Sequence, residues 1–191
     1  MPGSSPGDLR LGLNLSFYRT FAVPRIAAVL AGTGKMTARL PVGNDEFVYV
    51  LAAFCVTPVR WIDAHGWRRT TRAEKDAACS FYKDLAERMS IDAVPESFDA
   101  LADWMDDFER RTFAVTAEGR ALWAATRGLL ADRVPRPLAP LVRSATNALL
   151  DDRLRQALAT PRPAAAVRAL LAGALAARAW WSRSERVRRG P

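Results

Sequence analysis

The sequence predicts an all-α fold, a single compact multi-helix domain with a buried apolar central helix near 45–65. Three observations carry that expectation. Apolar residues recur at three- and four-residue spacing along most of the chain. Helix-start signals precede these runs, and Gly or Pro follows them. Runs of β-branched residues bounded by turns are missing, and no fixed period suggests a repeat array. At 191 residues the chain has about one domain's length, enough to bury roughly 70% of its unfolded surface. The expected organisation is a disordered lead-in at 1–7, one helical domain at 8–186 and a basic tail at 187–191.

The elements follow in order. Leu9, Leu11, Leu13 and Leu15 alternate briefly, but Phe17, Phe21 and the run Pro24 to Leu30 continue as helix until Gly32 and Gly34 stop it. Asn44-Asp45-Glu46 reads as an N-cap followed by acids in the first turn. The stretch from Phe47 through Cys55 to Trp61-Ile62 is apolar on nearly every side. Its length favours a buried helix over a strand, with Pro58 bending it and Gly66 ending it. Thr71-Arg72-Ala73-Glu74 is a capping box, opening a helix in which Cys79, Tyr82, Leu85, Ala86 and Met89 repeat. Pro95 and Ser97 open the next, with Phe98, Leu101, Met105 and Phe108 on one face. Thr116 caps a helix carrying Leu122, Trp123, Thr126, Leu129 and Leu130. Pro135 and Pro137 break the chain, Leu138 to Leu150 resumes it, and an acidic corner at Asp151-Asp152 precedes Leu154 and Leu158. Pro161 and Pro163 lead into a final helix to about Arg186.

Composition narrows the function classes. Two cysteines and one histidine rule out a disulfide framework and a Cys/His zinc site, and leave little for histidine-dependent catalysis. Residues 1–7 have neither the basic start nor the apolar centre of a signal peptide. No apolar run reaches the ~20 residues of a membrane span, so a cytoplasmic protein with reduced Cys55 and Cys79 is expected. The net charge of +8 is mostly arginine interspersed with alanine, the usage of a GC-rich genome. Only the tail concentrates it, where Arg178, Arg183, Arg186, Arg188 and Arg189 face Glu185 alone. That end reads as a solvated helix terminus suited to the helix dipole, with weak peripheral membrane contact as the functional counterpart.

Each chemistry-bearing residue has a plain structural reading. His65 precedes Gly66 at a helix end, where an imidazole meets the last carbonyls. Cys55 and Cys79 read as small buried apolar residues, and Tyr49 and Tyr82 sit at core spacings. Asp103, Asp106, Asp107 and Glu109 form an acidic cluster read as a solvated helix face. Trp61, Trp67, Trp104 and Trp123 read as core packing, whereas Trp180-Trp181 beside basic residues has an interfacial use. No Gly-rich phosphate loop and no Gly-x-Ser-x-Gly nucleophile motif occurs. No catalytic, cofactor-binding or metal-binding residue is therefore assigned.

A resemblance emerges between Asn44 and Ile91. Asn44-Asp45-Glu46-Phe47-Val48-Tyr49-Val50-Leu51, Pro58-Val59-Arg60-Trp61-Ile62-Asp63, Gly66-Trp67-Arg68, Glu74 and Arg88-Met89-Ser90-Ile91 stand in order. It continues through Pro95 to Phe113 and from Pro135-Arg136-Pro137-Leu138 to the C-terminus. Phe17-Tyr18-Arg19-Thr20-Phe21-Ala22-Val23-Pro24 and Thr33-Gly34 form a matching front. This set resembles the MpaB-type oxygenases, bacterial relatives of the fungal mycophenolic-acid oxygenase and of the latex-clearing rubber oxygenases. The resemblance implies an all-helical scaffold, haem b held by an axial histidine, and oxygen-dependent oxidation of an apolar small-molecule substrate. In such members a helical hairpin and a Met-His precede the Asn-Asp-Asp/Glu helix start. Here Thr33-Gly34-Lys35 runs almost directly into Met36-Thr37-Ala38-Arg39, and the ligand position falls on Thr37. Threonine is outside the usual axial set of His, Cys, Met and Tyr.

The leading expectation is thus a divergent or shortened family member, an oxidoreductase by resemblance, in which the haem b expected for the family is not bound by this chain. The alternative is a non-catalytic helical binding module, with homo-oligomer formation through exposed apolar surface where the hairpin is missing. A small basic DNA-binding regulator fits the length and pI, but without a recognisable helix-turn-helix no nucleic-acid partner is expected.

Overall fold

A computed structural model describes the backbone of residues 6–32 and 42–189 and the side chains of 7–32 and 42–184. Nine α-helices occur among them: α1 (Pro6–Thr20), α2 (Pro24–Leu30), α3 (Asn44–His65), α4 (Arg72–Arg88), α5 (Phe98–Thr112), α6 (Ala117–Ala131), α7 (Ala139–Ala148), α8 (Asp152–Ala157) and α9 (Ala165–Arg189). A 3-10 turn at Arg136–Leu138 precedes α7, and no strand occurs among the described residues. The all-α prediction holds. The described residues gather into two compact units, one within Met1–Phe17, Gly43–Phe108 and Ala174–Pro191, the other within Tyr18–Val42 and Glu109–Gly173.

The first unit is built around α3. Val48, Tyr49, Ala52, Ala53, Val56 and Val59 are almost fully enclosed, which accounts for a helix that is apolar all round. Val48 and Leu51 pack with Ala86 of α4 and Ile91, and Phe47, Tyr82, Leu85 and Trp104 cover them. Tyr49 stacks on Phe108 at 4.7 Å between centroids, and Trp104 stacks on Phe108 from 5.3 Å. Gly12 lets α1 cross α3 at Pro58, since a Cβ there would lie 2.6 Å from the Pro58 Cα. The start of α3 differs by one residue from its expected form. Gly43 is the N-cap, and its N–H donates to Glu46 Oε2 at 2.8 Å. Asn44 instead pairs both ends of its amide with the Asp92 backbone, at 2.8 and 2.9 Å. Gly66 ends α3 in an extended conformation, and its need for glycine is steric: a Cβ would sit 2.6 Å from the Ile62 carbonyl oxygen.

Capping then sets the helices that follow. Thr71 Oγ1 accepts from Glu74 N at 3.3 Å, and Glu74 Oε2 accepts from Thr71 N at 2.9 Å, so the capping box of α4 is complete. Ser97 Oγ accepts from Ala100 N at 3.2 Å at the start of α5.

The second unit corrects one expectation at once. The chain does not run as one helix to Leu30. Pro24 disfavours helical geometry in the residue before it, Val23 is extended (φ −91°, ψ 112°), and α2 starts afresh with Pro24 in its first turn. Thr116 caps α6 through Gly119 N at 3.0 Å, and a Cβ on Gly119 would lie only 2.3 Å from the Phe21 carbonyl oxygen. Trp123 is enclosed in this core, edge-on to Tyr18 at 5.2 Å. Its Nε1 donates to Asn147 Oδ1 at 3.3 Å. Of the residues α6 carries, Trp123 is buried and Leu129 is 67% exposed; the buried stripe passes through Gly119, Trp123 and Ala131. Asp151 Oδ1 accepts from Leu154 N at 2.9 Å and caps α8.

Candidate functional site

The residues with most chemical potential lie on α3. Thr57, Trp61 and His65 are spaced by four and form one row along the helix. Thr57 Oγ1 and Trp61 Nε1 are buried without hydrogen-bond partners. His65, one turn further on and half-buried, stacks on Trp61 at 4.0 Å between centroids. Its Nδ1 lies 3.3 Å from the Trp61 carbonyl oxygen. A carbonyl only accepts, so Nδ1 is the donor in this contact, and Nε2 lies outside it. The predicted role of His65 at the helix end is what the structure shows.

Charged pairs surround this end of α3. Arg68 holds Glu74 through two bonds of 2.8 and 2.7 Å, and the guanidinium drives the Glu74 carboxyl down to about 2. Asp63 Oδ1 accepts from Thr70 N at 2.6 Å and Thr70 Oγ1 at 2.7 Å, and Lys75 Nζ lies 2.9 Å from Oδ2. Burial acts to raise the Asp63 pKa, but these donors together outweigh it and lower it.

The cysteines behave as predicted. Cys55 and Cys79 are free and buried. Burial, and then the neighbouring Cys79, push the Cys55 thiol up to about 12, and burial likewise raises Cys79 and Tyr82. Such thiols stay protonated and are poor ligands at neutral pH. Tyr49 is enclosed against Phe108.

The acidic cluster is not one solvated face. Asp103 is exposed and Asp106 is held bidentate by Arg60 at 2.7 and 2.8 Å. Glu109 is a correction: it is fully buried. Arg19 grips both its oxygens, Nε to Oε1 and Nη2 to Oε2 at 2.6 Å each, while Arg153 Nη1 stands 3.5 Å from Oε2. Arg19 Nη1 also reaches Asp151 Oδ2 at 2.5 Å. Burial acts to raise the Asp151 pKa, and Arg19 with the α8 cap turns the balance downward. Sequence spacing offered one signal for Glu109, its place one residue after the buried Phe108. Arg19, ninety positions away, supplied none.

Among the described residues no group of three or more His, Cys, Asp or Glu converges to hold a metal ion. Trp61 and Trp123 are buried, Trp67 and Trp104 partly so, and Trp180 and Trp181 are exposed, as predicted. Thr37 lies outside the described residues.

The family model for the catalytic domain of ER-bound oxygenase mpaB/B′ and rubber oxygenase matches residues 25–181. The ER-bound oxygenase mpaB′ of Penicillium brevicompactum is 27% identical over 147 residues, covering 71% of this chain and 35% of that protein. The ER-bound oxygenase mpaB of Penicillium roqueforti is 27% identical over 127 residues, covering 60% of this chain and 43% of that protein. The chain therefore spans well under half the length of these relatives. No solved structure matches it.

Proposed function

The chain belongs to the family of ER-bound oxygenase mpaB/B′ and rubber oxygenase catalytic domains, and from that premise we propose a divergent member without an axial haem ligand of its own. On this reading it keeps the helical scaffold, does not bind the haem b that the resemblance implies through its own residues, and works as a helical binding module. The observation that carries it is His65, the one histidine in 191 residues. Its ring is half-buried at the end of α3 and stacked on the Trp61 indole at 4.0 Å between centroids, and the Nδ1 contact with the Trp61 carbonyl leaves Nε2 outside it, so the surroundings of the ring decide the matter. The segment around it is occupied by the Asp63–Lys75 and Arg68–Glu74 ion pairs, where a porphyrin needs an enclosed apolar slot. Cys55, with its thiol held protonated, and the enclosed Tyr49 offer no substitute ligand. Among the described residues the donor set does not fit an axially ligated haem, and no oxygenase step is derived from it.

As a binding module the chain would work in the cytoplasm, with an apolar small molecule or a second copy of itself as partner. Exposed Leu129, Leu138 and Leu141 support self-association as a second reading. The α3 helix is long and apolar enough to cross a membrane by composition, yet 67% of its most apolar window is buried within the fold. The experiment is expression with added haem precursor, followed by absorbance and oxygen uptake of the purified chain. Folded protein without a Soret band supports the proposal; a stoichiometric Soret band refutes it. Sedimentation across a concentration series tests self-association, and a monomer throughout sinks it.

A further inference from the structure

A polar cleft of about 220 Å³ opens in the second unit beside α7, α8 and the start of α9, lined by residues including Asn147, Asp151, Asp152, Arg155, Arg162 and Arg168. That is many times the roughly 10–15 Å³ that houses a water. Its charges do not cancel locally. Asp151 is committed to Arg19 and to the α8 cap. Asp152 is committed to Arg155, whose Nε and Nη2 lie 3.3 and 3.0 Å from its Oδ1. The guanidinium groups of Arg162 and Arg168 remain, with no hydrogen bond or ion pair to any described residue. Two guanidinium charges are thus presented to the cleft without a counter-ion.

The buried side of the cleft adds a donor. Asn147 is 5% exposed. Its Oδ1 faces two donors, Trp123 Nε1 at 3.3 Å and Arg127 Nη1 at 3.5 Å, which fixes the amide's orientation. The NH2 therefore points away from Trp123 and is given no partner by the structure. At the other side, α9 begins after Ala164, whose carbonyl accepts from Arg168 N at 3.1 Å. Alanine cannot cap, and the first turn of this 25-residue helix holds no acid, so its free N–H groups and positive dipole end are unopposed.

We infer that this cleft binds a phosphate monoester. Its charge near −2 at neutral pH matches the two unpaired guanidiniums, whose planar forks suit phosphate oxygens. Asn147 Nδ2 donates from the buried side, and the remaining volume accepts a small organic group. The Asp151 and Asp152 carboxylates stay in their own ion pairs and admit the anion. This site makes no use of the α3 row, so its fate is separate from that of the haem question.

Calorimetric titration with glycerol 3-phosphate tests the soluble source of the group, and co-sedimentation with phosphatidylcholine vesicles, with and without phosphatidic acid, tests the lipid source. Binding is expected to weaken at least about tenfold in Arg162→Ala and in Arg168→Ala, and to vanish in the double variant. Asn147→Asp keeps the acceptor for Trp123 but puts a negative oxygen where the donor was, and is expected to weaken binding by a similar factor. Arg143→Ala, an exposed arginine of α7 outside the cleft lining, should bind as the parent does. Co-sedimentation that requires phosphatidic acid and is lost in the double variant supports the site with lipid as its source. Absence of binding in both arms overturns the proposal, as does binding that survives in the double variant.

Discussion

Replacing Arg19 by methionine should remove more stability than any other single polar substitution in the second unit. The change leaves Glu109 fully enclosed, stripped of two 2.6 Å charge-assisted bonds, with the Arg153 Nη1 contact at 3.5 Å. Removing one partner of a buried pair costs about 3–5 kcal/mol because the other charge stays desolvated. Glu109→Leu alone leaves Arg19 beside Asp151 at 2.5 Å, so its loss should be smaller, about 2–3 kcal/mol. The double variant Arg19→Met/Glu109→Leu removes both charges and keeps most of the volume, and should lie within about 1 kcal/mol of the parent. Urea titration followed by far-ultraviolet circular dichroism reads all three. With a slope near 2 kcal/mol/M, the Arg19→Met midpoint should fall by about 1.5–2.5 M. Singles that each lose under about 1 kcal/mol, or a double variant that loses their sum, would refute the argument.

The Arg68–Glu74 pair at the start of α4, with the Thr71 cap behind it, sets a pH response. Glu74 is held at about 2 against an ordinary 4.5, so its stabilisation is complete above pH 4.5 and lost as pH falls towards 2. Glu74→Gln should lose about 1 kcal/mol at neutral pH and flatten the melting temperature between pH 5 and 2; an unchanged acid limb argues against this. Gly12→Ala places its Cβ 2.6 Å from the Pro58 Cα and should destabilise by about 1–3 kcal/mol, whereas a neutral result in thermal melts would contradict the close crossing of α1 and α3. Gly119→Ala meets the Phe21 carbonyl oxygen at 2.3 Å and should cost a comparable amount, with hydrogen exchange rising at the α6 N-terminus. Exchange unchanged there would remove that contact from the account.

Most helices were legible because their signals are local. Thr71 with Glu74, Thr116 and Ser97 each satisfy amides within three residues, and α3 announced itself by being apolar on every side. Where the reading failed, the deciding partner was distant. Asn44 looks like a cap, but the Asp92 backbone competes for its amide. Glu109 looks like one more acid beside Asp106 and Asp107, until Arg19 meets it across ninety positions. His65 was readable at its helix end because its partner, the Trp61 carbonyl, is four residues back. The unpaired Arg162 and Arg168 of the cleft carried no local signal at all, since their freedom depends on how Asp151 and Asp152 are spent elsewhere.

The most direct test of the family member without its own iron ligand is an equilibrium haem titration of the folded chain beside His65→Ala. Overlaid absorbance curves with no break at one equivalent are the predicted result. A break at one equivalent in the parent that disappears in His65→Ala would contradict the account and make Nε2 of His65 the ligand.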